Sequence, residues 1–233
     1  MSYEKKIVKV VLKGYNNKRD KSLPDPCVCL PAADDAIYNV LKKADENVLL
    51  ENVSLSVEWL TEEDSCFRYI FMYEQAAEIL FQLNDFCKRL DGFNPVQKQK
   101  LYASILANSG IEGPDGIGPW HPDLVYAINL SYTVNEAEFI SDVTCSDELG
   151  DYVIKNKQLP VLAGLDDEVV KLLSRKKVAE KFVQILDRNG KLRNSVYVEK
   201  RNPRFLHGFY FNLPFLKDIP KRYDGDTPQF EPK

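Results

Sequence analysis

The spacing of apolar residues changes between residues 60 and 76, and this change constrains the fold more than any other feature. Residues 53–60, VSLSVEWL, alternate strictly between apolar and polar positions, which is typical of a half-buried strand. Residues 74–92, EQAAEILFQLNDFCKRLDG, repeat apolar positions every three to four residues and end at a glycine, which predicts a helix. Because strands and helices occupy separate segments, we predict an α+β fold.

Residues 1–73 predict a small domain with the order β-α-β-β. The run KIVKVVLKG is rich in β-branched residues and ends at a glycine, as expected of a strand. Pro31 is predicted to open a helix, and CFRYIFMY, residues 66–73, is predicted to form a further strand.

Residues 74–118 are predicted to form a second, helical domain. Its second helix begins with Asn94 as N-cap, Pro95 at the first position and Gln97 at the third, which is a capping-box arrangement. We predict that the two helices form an antiparallel hairpin. The loop that follows, IEGPDGIGPWHPD, lacks the GK[ST] and GxGxxG patterns of phosphate loops, so we interpret it as a connector.

Residues 119–202 are predicted to form a third domain of α+β type, and residues 203–233 an extended, Pro-rich tail. The third domain begins with a short helix from Pro122 and a short strand at FISDV. Helices are predicted at DELGDYVIKN (capped by Thr144 or Ser146), LDDEVVKLLS and SRKKVAEKF. The Asn189-Gly190 pair between β-prone runs predicts a terminal hairpin.

Charge is distributed unevenly along the chain. The formal net charge is -4, yet residues 1–21 carry +5, residues 22–151 carry -16 and residues 152–233 carry +7. The 54 residues from Leu101 to Ile154 contain no Lys or Arg. Nine carboxylates fall in this stretch: Glu112, Asp115, Asp123, Glu136, Glu138, Asp142, Asp147, Glu148 and Asp151.

Two interpretations of this acidic stretch compete. Basic residues between 155 and 201 could fold back and neutralise it, as exposed ion pairs commonly do at little energetic gain. The carboxylates could instead stay open toward a cationic partner, since like charges within a Debye length of about 8 Å repel each other unless binding uses them.

The sequence gives no sign of catalysis. The two histidines, His121 and His207, lie in dissimilar contexts and suggest no Ser-His or Cys-His pairing. Paired carboxylates at residues 34–35 and 166–168 fall at predicted helix starts, where they complement the helix dipole. We therefore expect no enzyme activity, no cofactor and no metal site.

The cysteine pattern and the apolar segments bear on location. Five cysteines at unrelated spacings, without an export signal, favour reduced thiols over a disulfide framework. No apolar run approaches the roughly 18–20 residues of a membrane helix. We therefore expect a cytoplasmic protein that does not enter a membrane.

Nucleic-acid binding is a rival hypothesis. Residues 171–204 are rich in Lys and Arg, and Phe182, Tyr197 and aromatics of the tail are interleaved with them, as on a phosphate-contacting surface. A nucleic-acid-binding accessory protein of a mobile element would use this segment. A third hypothesis is a scaffold whose Pro-rich tail docks a partner.

Four segments in a fixed order, FQLNDFCKRL, DLVYAINLSYTVNEAEFISDV, DELGDYVIKNKQLP and LDDEVVKLLSRKKVAEKF, resemble the ArdA-type antirestriction proteins. The likeness is greatest to relatives carried on conjugative elements of Firmicutes and covers about residues 74–185. The resemblance implies three small domains in a curved, elongated body that commonly dimerises. It also implies mimicry of B-form DNA, through which such proteins occupy the DNA-binding groove of type I restriction-modification enzymes.

On this resemblance we expect an anti-defence protein that inhibits a host DNA-targeting enzyme and does not itself bind DNA. The nine carboxylates from Glu112 to Asp151 would take the place of phosphates. Because the two ends of the chain are basic, the same charge argument leaves a CRISPR effector as an alternative target. A homodimer is a further expectation of the resemblance.

Overall fold

The computed structural model describes residues 5–14, 24–44, 53–71, 79–108, 123–188, 194–198, 207–214, 219 and 221–225. These residues form an α+β fold with two three-stranded sheets. The described helices and strands, in chain order, are β1 (Val8–Gly14), β2 (Cys27–Leu30), α1 (Asp34–Ala44), β3 (Val53–Trp59), a 3-10 helix (Asp64–Phe71), α2 (Ile79–Asp91), α3 (Pro95–Asn108), α4 (Leu124–Ser131), β4 (Glu138–Ser141), α5 (Ser146–Lys155), a second 3-10 helix (Pro160–Gly164), α6 (Asp167–Lys171), α7 (Arg175–Arg188), β5 (Ser195–Val198) and β6 (Gly208–Phe211).

The first sheet has the order β2-β1-β3 and is antiparallel throughout. Its register pairs Val10 with Val28 on one side and with Val57 on the other. The alternation predicted for β3 is confirmed, since Val57 and Trp59 pack against the core while Glu58 is exposed. One face of this sheet is therefore covered, as expected of an antiparallel sheet with a polar outer side.

One core of buried side chains runs from Ile7 to Val134. It joins the first sheet and α1 to α2 and α4, so the predicted boundary at residue 73 does not separate two cores. Helix α4 is apolar on nearly all sides, with buried Leu124, Ile128 and Leu130, and such a helix must be covered by its neighbours. It packs against both α2 and α3.

The second sheet has the order β4-β6-β5, with β6 in the centre and both pairings antiparallel. Its aromatic residues form much of a second core, where the rings of Tyr197 and Phe209 lie 4.9 Å apart. Helices α5 and α7 pack closely against each other over this core. Beside it, Ala103 of α3 contacts Tyr210 and Leu213 in a smaller cluster that joins the two units.

Several local predictions are confirmed by the structure. The strands at KIVKVVLKG, VSLSVEWL and FISDV and the helices at DELGDYVIKN, LDDEVVKLLS and SRKKVAEKF are present. The capping box is formed, because the Gln97 amide N–H donates to the Asn94 side chain at 2.9 Å and the Asn94 amide N–H donates to the Gln97 side chain at 3.1 Å.

The strand predicted at CFRYIFMY is wrong. Residues Asp64–Phe71 form a 3-10 helix. The Thr61 hydroxyl donates to the Asp64 carboxylate, and the Asp64 amide donates back to that hydroxyl, which starts a helical turn. Cys66 and Phe67 are both buried, so neighbouring residues do not alternate between inside and outside as they would in a strand.

The contacts of three other segments differ from their predictions. α2 and α3 are joined by a short turn, but both pack on α4 more than on each other, because α4 lies against each of them. Residues 184–188 continue α7 instead of opening a hairpin, and Asn189-Gly190 lies outside the described residues. Gly208–Phe211, placed in the extended tail by the sequence, is a buried central strand because its four residues are all enclosed by β4, β5 and the cores.

A buried ion pair lies beside the first 3-10 helix. Lys98 Nζ is 2.6 Å from Asp64 Oδ1, and the Lys98 and Asp64 side chains are 4% and 0% exposed. Lys5 lies 3.8 Å from the second carboxylate oxygen. Beside this pair, burial together with the Asp64 charge raises the pKa of the Cys66 thiol to about 12, so the cysteine stays protonated.

We predict that Lys98→Met strongly destabilises the protein. It leaves the Asp64 carboxylate buried without its closest cation, which costs about 3–5 kcal/mol of unfolding free energy. The matched control is Lys9→Met, because Lys9 pairs with Glu58 at 3.9 Å on the surface and should change stability by less than about 1 kcal/mol. Urea unfolding of both variants measures the difference, and equal midpoints would contradict the prediction.

Candidate functional site

Seven of the nine predicted carboxylates lie in the described part of the chain, and all seven are exposed. Glu112 and Asp115 lie outside the described residues. Asp123 caps α4, since its carboxylate accepts a hydrogen bond from the Tyr126 amide at 2.6 Å. It sits at the far end of α4 from β4, about 12 Å of helix away, so its first role is structural. We call the remaining six the acidic surface: Glu136, Glu138, Asp142, Asp147, Glu148 and Asp151.

The turn before β4 fixes the first two members of the acidic surface. Val134 and Ala137 are buried, whereas Glu136 and Glu138 are exposed. The Asn212 side chain donates to the Glu136 carbonyl at 2.9 Å, which ties this turn to the end of β6. Glu138 is the first residue of β4 and lies on the opposite face of the strand from Phe139, whose ring stacks on Tyr210 at 4.5 Å. Its side chain is exposed at this end of the strand.

Asp142 lies directly after β4 in the left-handed region, with φ of 61°. Aspartate tolerates this region better than most residues. Its amide donates to the His207 carbonyl at 3.1 Å, and its carboxylate lies 2.9 Å from His207 Nε2. The carboxylate is still 76% exposed, so this contact leaves most of it open to solvent.

Glu148 is held at the start of α5 by Thr144. The Thr144 amide and hydroxyl both donate to Glu148 Oε2, at 2.6 and 2.8 Å. The hydrogen bond from the Thr144 amide is the main cause that lowers the pKa of Glu148. Neither Thr144 nor Ser146 is the N-cap predicted from the sequence, because Cys145 holds that position and its side chain makes no capping hydrogen bond. The outcome is an ionised carboxylate in a fixed position.

Gly150 brings α5 against the start of α7. A Cβ atom on this residue would clash with the Arg175 backbone carbonyl, so only glycine allows the approach. Leu149 and Val153 are buried beside it, and this orients the opposite face of α5, with Asp147, Glu148 and Asp151, toward solvent.

Arg175 joins three helices. Its Nε donates to Asp151 Oδ1 at 2.6 Å, and its Nη1 donates to the carbonyls of Val170 and Leu173, at 3.3 and 2.9 Å. The guanidinium therefore closes the C-terminal end of α6 while it pairs with α5. Arg175 therefore has a structural role, because its hydrogen bonds to Asp151, Val170 and Leu173 hold its guanidinium in place.

The structure supports part of each interpretation of the acidic stretch, because, among the described residues, some of its carboxylates are paired and others are not. Arg175 pairs with Asp151 and His207 with Asp142, so residues after 155 do fold back onto it. Glu138 and Asp147 form no ion pair with another described residue. The exposed basic residues of α7 likewise form no ion pair with any described residue: Lys176, Lys177, Lys181 and Arg188.

Two aromatic residues of the rival nucleic-acid surface, Phe182 and Tyr197, pack against the second core. Phe182 is buried in the second core, and the Tyr197 ring packs on Phe209. Phe209, Tyr210 and Phe211 are buried in β6. The rings of Phe182 and of the three β6 residues are buried and cannot stack on a base, whereas Tyr197 is half-buried. Other members of that surface lie outside the described residues: Lys191, Arg193, Lys200, Arg201 and Arg204.

Other kinds of site have little support in the described ranges. No group of three or more His, Cys, Asp or Glu side chains there is arranged to hold a metal ion. No described helix is both long enough and apolar enough to cross a membrane. The paired carboxylates Asp34 and Asp35 start α1, and Asp166 caps α6 through the Glu168 amide, so both sets serve helix starts.

No protein-family model matches the chain, and no curated protein or solved structure is significantly similar to it.

Four residues that shape the acidic surface were not identified from the sequence: Thr144 as the partner of Glu148, and Gly150, Arg175 and His207. Gly150 carried a usable signal, because a glycine inside a helical pattern costs about 1 kcal/mol relative to alanine and usually has a packing reason. The pairings of Arg175 and His207 join residues 24 and 65 positions apart, and no local pattern reveals them.

We predict that Gly150→Ala pushes α5 away from α7 and destabilises the protein by about 1–3 kcal/mol. The matched control is Gly164→Ala, where nothing lies within 4 Å of the added Cβ and the change should stay within about 0.5 kcal/mol. Urea unfolding monitored by circular dichroism measures both variants. A Gly150→Ala protein as stable as the control would mean that the two helices are not in close contact.

Proposed function

We propose that the protein inhibits a DNA-binding enzyme by presenting the acidic surface in place of DNA phosphates. The observation that carries the proposal is the run of exposed carboxylates on one edge strand and the adjoining helix, with Glu138 and Asp147 unpaired among the described residues. The resemblance of residues 74–185 to ArdA-type antirestriction proteins adds a target class, the type I restriction-modification enzymes.

The density of charge on α5 supports this proposal. Asp147 and Asp151 are one helical turn apart, and with Glu148 they place three carboxylates along about 6 Å of the helix axis. Duplex DNA carries one charge per about 1.7 Å of its axis. A protein groove lined with Lys and Arg would therefore meet a similar local charge.

Preorganisation of the carboxylates supports it as well. Glu148 is held by Thr144, Asp151 by Arg175 and Asp142 by the backbone and ring of His207. Side chains that are already fixed lose less conformational entropy on binding than free ones. The exposed face of each carboxylate remains open to a cation from a partner.

The buried aromatic rings weigh against the rival function, in which residues 171–204 bind nucleic acid. Phe182 is buried and Tyr197 is half-buried against Phe209, so the described part of that surface presents mainly its charges. Exposed lysines on one face of a helix are ordinary solvated residues, and they do not by themselves select nucleic acid.

We predict that the double variant Glu138→Lys/Asp147→Lys loses inhibition of a purified type I restriction-modification complex in a DNA cleavage assay. Two lost ion pairs at about 0.7 kcal/mol each give about 1.4 kcal/mol, so the inhibitory concentration should rise about tenfold or more. Inhibition by the wild-type chain should also weaken steeply as salt is raised.

The matched control is Glu180→Lys/Asp187→Lys, which makes the same change of charge on exposed residues of α7. It should leave inhibition within about twofold of wild type. Equal loss in both variants would show that only net charge matters, and unchanged inhibition by the first variant would refute the acidic surface as the contact. A gel shift with the wild-type chain and duplex DNA should show no binding.

A further inference from the structure

A short C-terminal segment, described at residues 219 and 221–225, lies in the groove between α2 and α4, and we call it the strap. Asn129 of α4, only 5% exposed, is the centre of this contact. Its side-chain oxygen accepts from the amides of Arg222 and Tyr223, at 2.6 and 2.8 Å. Its side-chain nitrogen donates to the Tyr223 carbonyl at 2.8 Å and to the Val125 carbonyl of its own helix at 2.9 Å.

Helix α2 supplies the other side of the groove. Gln82 donates to the Gly225 carbonyl at 3.2 Å. The Tyr223 hydroxyl donates to the Asp85 carboxylate at 3.0 Å. At the entrance, the Arg222 guanidinium lies 5.4 Å from the centre of the Tyr132 ring, which also has Arg89 at 4.1 Å.

Most of these contacts are hydrogen bonds to the peptide backbone of the strap. Asn129 and Gln82 bind four backbone groups of the strap, which any extended segment can offer. Sequence is read at two positions, by Asp85 at the tyrosine and by Tyr132 at the arginine. This division between backbone affinity and side-chain specificity is the usual mode of peptide recognition.

A third position requires glycine. Gly225 has φ of +79°, and a Cβ there would lie 2.6 Å from the Val125 side chain. The groove therefore fits an extended segment with arginine, tyrosine and, two residues after the tyrosine, glycine.

We propose that the groove between α2 and α4 is a binding site for an extended Arg-Tyr-x-Gly segment of a partner protein, and that the strap fills it within the same chain. Asn129 is a nearly buried amide that uses three of its four hydrogen bonds on the occupant, as expected of a binding site built for a peptide backbone. A tethered segment competes at an effective concentration in the millimolar range, so the strap masks the groove until a partner displaces it.

The test uses the full-length variant Gly225→Ala, whose added Cβ should release the strap while every side chain of the groove is kept. Nitrogen-15 NMR spectra are recorded as the peptide Ile-Pro-Lys-Arg-Tyr-Asp-Gly is added up to millimolar concentration. The side-chain amide signal of Asn129 is assigned by its absence in Asn129→Asp. In Gly225→Ala this signal should lie away from its wild-type position because the strap has left the groove. It should return toward that position as the peptide binds. The wild-type chain should bind the peptide at least about tenfold more weakly because the strap competes.

The matched control in the protein is Asp224→Ala, since Asp224 is an exposed strap residue that pairs with Lys221 on the surface. It should behave as wild type. The matched control in the ligand is the same peptide with alanine in place of the final glycine, which should not bind. A peptide with phenylalanine in place of tyrosine should bind about threefold to tenfold more weakly because the hydrogen bond to Asp85 is lost.

Three outcomes would overturn the proposal. One is a folded Gly225→Ala chain whose spectrum does not respond to the peptide. Another is equal binding of the glycine and alanine peptides. The last is a wild-type dimer in sedimentation that the peptide converts to monomer, because the strap would then occupy the groove of a second copy.

Discussion

The central position of β6 is the constraint on which the second unit depends. β6 pairs with β4 on one side and β5 on the other, and neither outer strand pairs with the other. An unpaired four-residue strand has no stability in water. The second sheet, its aromatic core and the helices packed over it therefore all require one strand that arrives late in the chain.

The positions of the carboxylates in the acidic surface depend on the pairing of β6 with β4 and on the contacts near it. β4 holds Glu138 because β6 pairs with it, and His207, directly before β6, holds Asp142. The packing of α5 on α7 at Gly150 then sets the direction of Asp147 and Asp151. The carboxylates are polar residues on the outside, but their positions are decided by contacts on the inside of the sheet and between the helices.

Local sequence patterns predicted those elements whose stability is local. The alternation of VSLSVEWL, the Asn94-Gln97 capping box and the periodic helices are present because each pattern directly sets backbone geometry or the buried face. The 3-10 helix at Asp64 and the role of β6 were missed. The first depends on a buried partner from α3, and the second depends on strand pairings such as Glu138 with Phe211, which are up to 73 residues apart (211 − 138). In the site, exposure of the carboxylates was predictable from composition. Their partners Arg175 and His207 were not, because tertiary contacts select one cation among many.

The path of the chain makes the second unit an insertion. The chain leaves the first core after Val134, and it returns close to this point, where Arg222 lies over the Tyr132 ring. The exit and the entry are thus neighbours, as at sites where whole domains are tolerated inside other domains. In architectural terms, the second sheet with its acidic helix is a module inserted into a host fold, and the cluster of Ala103, Tyr210 and Leu213 anchors it there.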